Sequence, residues 1–397
     1  MNRKTVISIA AGAALAVNSF AAGDISYGGF FSNGYLQSSA NNYLVDSEDG
    51  DFDFVELGVN ASWSPIERTT LRGQLFTFEL GPYGNFDPII DYLFVEYSQS
   101  PAFNLRLGRV KRPQGLYNDI QDIDIARTSI LLPMGMYDQR YRDFSASADG
   151  ISISGNLSFG TFQSLDYTAY HGASSLEIDG GIAGYAHTIT ARSLLNGKID
   201  TIDADTLSGI QLWWNTPVAG LRTGAAYSIL KGIDIDTSGN HPLYGIPIVV
   251  SNLTEASEWR FSGEYYWENW TFTGEYNVLA TNGLEQQTVA GNPMGWAPVA
   301  NTGHSWYLGA ARRFLDRFEG SVIYSEFLSN NDSTETALDY QEDLQFSLRY
   351  DATDFWTVKG EFHLLSGQNR LFNQFGQNPS PTDENWTLFA LKSTFFF

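Results

Sequence analysis

Apolar and polar positions alternate along most of this 397-residue chain. Val55, Leu57, Val59, Ala61 and Trp63 fall on one face and Glu56, Gly58, Asn60 and Ser62 on the other. A period of two marks a strand whose two sides meet unlike surroundings. Ser64-Pro65-Ile66-Glu67 then turns the chain into Leu71 to Phe78, and the same pair of strands around a short turn recurs to the end. The clearest hairpin runs from Asp343 to Leu364. Leu344, Phe346, Leu348 and Tyr350 oppose Asp343, Gln345, Ser347 and Arg349. Past a turn at 351–354, Trp356, Val358, Gly360, Phe362 and Leu364 oppose Thr357, Lys359, Glu361 and His363. Trp259 to Val278 repeats the separation, whereas Ser305 to Arg313 leaves its facing open between Tyr307 and the pair Trp306 and Leu308.

Short and long connections take turns. Short turns fall near Ser64, Gln99, Leu157, Thr216, Glu268, Leu315 and Asp351, and long connections at 39–52, 81–88, 111–147, 174–205, 233–254, 282–302, 329–340 and 367–383. These seven and eight connections join sixteen strands. The last, Asn385 to Phe397, puts Thr387, Phe389, Leu391, Ser393, Phe395 and Phe397 on one face and Lys392 on the other. So apolar an end needs a cover, and lipid supplies one. Ile25, Tyr27 and Phe31 make a first strand able to pair with the last. The pattern predicts an all-β fold, a transmembrane antiparallel sixteen-stranded β-barrel, because an open sheet edge in hydrocarbon leaves backbone groups unpaired. A sandwich would also alternate, but sixteen strands in series without a helical interlude long enough for βαβ units strain it. Trp63, Trp214, Trp270, Phe318 and Trp356 cluster at the short turns as an interfacial girdle.

A mean hydropathy of −0.20 is too low for a helical membrane protein but suits a barrel, half of whose strand residues face water. The formal charge of −22 argues against a nucleic-acid partner. The lack of cysteine fits passage through an oxidising compartment. Arg3 and Lys4, the apolar run Val6 to Val17 and Ser19-Phe20-Ala21 read as a signal peptide over 1–22. Its removal leaves 23–397 as one barrel domain, and the loss of two bases takes the charge to −24.

Sixteen strands enclose a lumen wide enough for water, so whatever narrows it decides what passes. The third long connection, 111–147, is too rich in Ile, Leu and Met to stand in solvent. Asn118 is placed to cap a short helix from Asp119 to about Arg127 with Ile120, Ile123 and Ile130 on one side, and Ile130 to Met136 to pack the loop against the inner wall. The candidate constriction residues are Arg106, Lys111, Arg112, Asp119, Asp122, Asp124, Arg127, Asp138, Arg140, Arg142 and Asp143. Parity turns Arg72, Arg222, Arg260, Arg349, Glu56, Glu96 and Glu264 into the lumen wall, with Asp166, Glu275 and Glu361, while Arg109 falls outward. Two arrangements are open. Separated rows of opposite sign would set a transverse field across the gap, and mutual pairing would simply hold the loop in place.

The signal peptide, the sixteen strands, the long third loop and the terminal Phe397 resemble the general porins of Gram-negative bacteria. The run L-G-R-V-K-R-P-Q-G-L-Y-N-D at 107–119 is similar to the strand-to-loop junction of porin-like proteins of proteobacteria. The resemblance implies an outer-membrane homotrimer among lipid and lipopolysaccharide, with 111–147 folded into the lumen and passive diffusion of small hydrophilic solutes. It also implies that Phe395 and Phe397 are the signal read by the barrel-assembly machinery. The P-E-F-G-G-D loop signature of the enterobacterial members is absent, and 81–88 is short for an intersubunit latch. A solute-selective channel is the nearer rival, with Arg106, Arg109, Lys111, Arg112, Arg140 and Arg142 as an anion ladder or stacked Tyr and Trp as a sugar track. A barrel hydrolase is the distant one, since His171, His187, His241, His304 and His363 sit in no catalytic motif. No cofactor motif or metal-ligand set is read, because the acidic run Asp46, Glu48, Asp49, Asp51 and Asp53 lacks calcium-loop spacing.

Overall fold

The computed structural model describes residues 24–160, 162–331, 336–378 and 382–397, and the expected signal peptide lies outside them. The alternating runs form β1 (Asp24–Ser38), β2 (Asp51–Ile66), β3 (Thr69–Leu80), β4 (Ile89–Ser100), β5 (Phe103–Lys111), β6 (Ser147–Ser158), β7 (Ser164–Ala173), β8 (Leu195–Asp203) and β9 (Thr206–Asn215). The second half gives β10 (Leu221–Asn240), β11 (Pro247–Trp267), β12 (Trp270–Val289), β13 (Asn292–Pro293), β14 (Ala297–Phe314), β15 (Phe318–Leu328), β16 (Tyr340–Thr353), β17 (Trp356–Gly367) and β18 (Asn385–Phe396). Helix α1 spans Gly181–Ser193.

Sixteen of these strands close an antiparallel ring in chain order. β18 returns to β1, with Phe30 opposite Phe396 and Ser38 opposite Leu388. Gly29 and Phe397 finish the seam with backbone hydrogen bonds of 3.0 Å in each direction. β8 and β13 are annexes to the ring, β8 continuing β9 along β10 and β13 pairing with the end of β12.

The ring is apolar outside and polar inside. On β16 and β17, Phe346, Leu348, Phe362 and Leu364 point outward, Leu348 being 47 % exposed, while Lys359, Glu361 and His363 point inward and are 2 % exposed or less. A globular protein in water buries the opposite set, and hydrocarbon is the surrounding that suits such an exterior. Tyr307 is fully buried in the lumen and Leu308 is exposed outside, which settles the facing of 305–313. Arg109 lies at the outer face, 3.2 Å from Asp149.

Two expected loops are mostly strand instead, and a third, 174–205, holds both α1 and β8. β10, β11 and β12 run 20, 21 and 20 residues, so 233–254 and 282–302 are mostly paired, and the chain reverses only at 241–246 and 290–296. Beyond the apolar belt both faces of a sheet meet water, and the alternation that betrays a strand fades. Backbone pairing continues without it, from Ile233 opposite Thr254 to Asn240 opposite Pro247.

Candidate functional site: a loop lodged in the barrel

The chain between β5 and β6 lies inside the ring, for its hydrogen bonds end on strands from opposite sides. Towards β16 and β17, the backbone N–H groups of Ile130 and Leu131 donate to Glu361 at 2.7 and 2.9 Å. Lys359 Nζ donates to the carbonyls of Asp124 and Ser129 at 2.7 and 3.1 Å, and Arg349 to that of Ile125 at 2.8 Å. Towards β11 and β12, Leu116 N–H donates to Glu275 at 3.0 Å, the Tyr137 hydroxyl donates to the same carboxylate, and Arg260 donates to the Gln114 and Met136 carbonyls. Ile130, Leu131 and Met134 pack with Leu36, Phe54, Trp386 and Leu388 into a dry cluster on the inner face of β1, β2 and β18. Wall side chains thus take up loop backbone groups that would otherwise lose water without replacement.

The loop's charges are gathered into pairs. Lys111 and Arg142 both reach Asp91, at 2.6 and 2.5 Å, and Asp122, at 3.4 and 2.7 Å. Asp124 lies 3.1 Å from both Lys392 and Arg127 and accepts from Thr394 at 2.6 Å. Arg140 grips Asp138 with two donors, and Arg112 reaches Glu258 at 3.1 Å. Burial pushes the Asp122 carboxyl up, but Arg142 and Lys111 outweigh it and hold it well below the usual carboxylate range. Along the wall, Glu96 takes Arg106 at 2.6 Å and Arg72 at 3.4 Å, Glu264 takes Arg222 at 2.6 Å, Arg349 pairs with Asp351 at 2.7 Å and Glu56 with Lys392 at 2.5 Å. Arg260 shares Glu258 with Arg112. Asp166 accepts from Asn156 and Asn215.

Asp119 and Asp143 enter no ion pair among the described residues, and burial pushes both carboxyls up. The expected helix is absent. Two single 3-10 turns, Asn118–Ile120 and Asp124–Ala126, stand in its place. Asn118 caps nothing, because its amide donates to the carbonyls of Arg112 and Ser145 at 2.7 Å each and ties the two stems of the loop together. Asp122 and Asp124 are drawn to different walls, Asp91's neighbourhood on β4 and Lys392 on β18, which pulls the backbone out of helical register.

Asp143 carries a pH prediction. Burial, then Glu177 and Asp179, raise its carboxyl from 3.8 to about 7, although the backbone N–H groups of Glu177 and Phe144 work the other way. The folded protein therefore holds this proton more tightly than the unfolded chain. Its contribution to stability is fully present below 3.8 and is lost as pH rises to about 7. Asp143→Asn removes that slope. Melting temperatures at pH 5 and 8 should fall further apart in the parent than in the variant, and equal drops would contradict the assignment.

Two cavities flank the loop. One of about 320 Å³ lies toward the long-connection ends of the strands, lined by Asn277 and Thr281 of β12, Asn301 of β14 and Phe327 of β15. The other, of about 330 Å³, lies toward the short-turn ends, lined by Thr271, Ala311 and Glu319 of the same three strands. Loop residues 125–129 border the second and 135–138 the first, so the loop sits at mid-height between them.

Solved structures similar to the chain include outer-membrane porins. The chain is similar to an anion-selective porin from Comamonas acidovorans, at 12% identity over 95% of this chain and 100% of that one, with a TM-score of 0.55. It is likewise similar to OmpF of Salmonella typhi, solved in complex with daunomycin, at 12% identity over 94% and 97% with a TM-score of 0.58. The fold is that of the porins. OmpT, an outer membrane protein of Vibrio cholerae solved in a trimer form, matches at 11% identity over 95% and 100% with a TM-score of 0.55. No protein-family model matches the chain, and no curated protein sequence does.

Sequence reasoning left several of the loop's partners unassigned. Lys359 fell on a polar face and Lys392 was the one charge on its face of the last strand, but nothing in the alternation says that both converge on Asp124. Glu258 shares parity with Arg260, one step before the hairpin as read. Asp91 is hidden by a bulge, since Gln74 pairs with Tyr92 and Leu75 with Ile90. Of the histidines, His363 has both ring nitrogens engaged, by Asp343 at 2.9 Å and Glu361 at 3.0 Å. His171 Nδ1 stands 2.7 Å from Ser208 Oγ on the outer face, and among the described residues no carboxylate is bonded to the ring to orient it as a triad requires.

Proposed function

We propose that the chain is an outer-membrane porin through which small hydrophilic solutes and ions diffuse passively, with 111–147 as the constriction. The carrying observation is a closed ring whose interior is lined by ionised and hydroxyl side chains and crossed by a loop bonded to opposite walls. Neither property serves a protein that packs a dry core, and both serve one that admits water. The transport needs no catalysis. Lipid and lipopolysaccharide surround the apolar belt, and three copies assemble side by side, a reading supported by the trimer form of the Vibrio cholerae structure. Phe395 stacks on Trp356 with ring centroids 5.3 Å apart, while Phe397 is exposed, so both are accessible from the lipid side to an assembly factor.

Reconstitution into planar bilayers and sugar-loaded liposomes tests this. Discrete ohmic steps are expected, grouped in threes if the trimer holds, with liposome swelling that slows as the sugar grows larger. Inserted protein that gives neither steps nor swelling would refute the pore.

A further inference from the structure

We propose that the cavity on the long-connection side of the loop is a binding subsite for small organic anions with a flat apolar body, of which aromatic carboxylates are the simplest. This rests on the reading of the chain as a pore, since it names a solute class that would pause there. At about 320 Å³ the cavity lies at the lower end of the ligand-site range.

Its lining is unlike a surface built only to pass water. Met136, Tyr141 and Phe144 of the loop, Ile182 and Tyr185 of α1 and Phe327 of β15 bring apolar and aromatic groups around one space from three separate elements. Flat rings of this kind offer stacking surface to another flat ring. The same space is bordered by Arg112, Arg260 and Arg370, against the carboxylates of Glu258 and Asp138. Asp138 is held chiefly by Arg140, which grips it at 2.9 and 2.5 Å, while the more distant charge of Arg370 also acts on it. Glu258 answers both Arg112, at 3.1 Å, and Arg260, at 2.6 Å, and the Glu275 carboxylate also acts on Arg260. Arg370 makes no ion pair among the described residues. Its donors go to two neutral acceptors, the Tyr141 hydroxyl at 3.0 Å and the Gly135 carbonyl at 3.4 Å.

A surplus of positive charge therefore gathers in one cavity of a chain whose formal charge is −22. The Arg370 guanidinium lies 3.8 Å from the Phe327 ring centroid, and its Nε and the Nε2 of Gln114 have no acceptor among the described residues. A buried guanidinium without a carboxylate is costly, and a planar anion offsets that cost by two parallel hydrogen bonds. A sugar would bring no charge, and a cation would meet the surplus head on. An anion whose apolar body reaches Phe327, Tyr185 and Ile182 uses both halves of the lining.

Binding is read first by calorimetry on the full-length refolded protein in detergent micelles, with benzoate as probe and acetate and benzyl alcohol as controls. Benzoate should bind best of the three, and Arg370→Gln should weaken it roughly tenfold or more, as loss of a charge-assisted pair implies. Phe327→Leu should weaken benzoate and leave acetate unchanged, and it decides the matter should Arg370→Gln fail to fold. In planar bilayers, benzoate should interrupt the current in the parent and not in Arg370→Gln. No benzoate binding, equal binding of acetate, equal binding of benzyl alcohol, or indifference to both substitutions would each overturn the subsite. Conduction without benzoate binding removes the subsite and leaves the pore, whereas binding without conduction removes the pore alone.

Discussion

Glu361→Ala should raise single-channel conductance and lower stability by about 3–5 kcal/mol, the usual cost of removing one member of a buried charged pair. This carboxylate accepts from the backbone of Ile130 and Leu131, from the Ser347 hydroxyl and from His363. Its loss orphans two loop N–H groups at once, and each buried orphan costs about 1–3 kcal/mol. The loop is then free to lean away from β17 and widen the gap. Glu361→Gln retains one acceptor oxygen and should fall between. Bilayer recordings alongside thermal loss of the compact electrophoretic form read both effects, and an unchanged current would mean that the anchoring does not set the bore.

Asp124→Ala should be at least as damaging, by about 3–5 kcal/mol, because it strips a shared anion from several cations. Lys392 and Arg127 stand 3.1 Å from its oxygens and Lys359 stands 3.8 Å away. Glu56 would remain to Lys392 alone, at 2.5 Å. Repulsion among the orphaned cations then opposes the fold. The double variant Asp124→Ala with Lys359→Met should recover part of the loss, since it removes one unpaired charge. A thermal-stability cycle over the four proteins measures the coupling. Additive effects would show that the cations relax into the lumen water and that Asp124 organises nothing.

The ring was readable from residues alone because lipid and water impose opposite demands on successive positions. Leu348 and Lys359 obey those demands from strands 16 and 17, and no tertiary knowledge is needed to sort them. The far halves of β10 to β12 escaped because both faces are wet there and only backbone pairing marks them as strand. The loop charges were visible as a set, and the parity of Arg260, Glu275 and Glu361 placed their side chains inward. Which acid meets which base depends on how a 35-residue stretch threads a cylinder, as in the meeting of Asp124 with Lys392, 268 positions later. The false helix shows the same limit. Asn118 has a capping residue's identity, but its amide is engaged in tying the stems of the loop.

A tilted strand crosses hydrocarbon with about 10 residues, and β11 has 21. At about 3.3 Å per residue the surplus of β10, β11 and β12 stands as a crest of roughly 30 Å along the strands. A bulky body approaching from that side strikes the parapet before it reaches the barrel's opening, and the lumen beneath is sheltered from it.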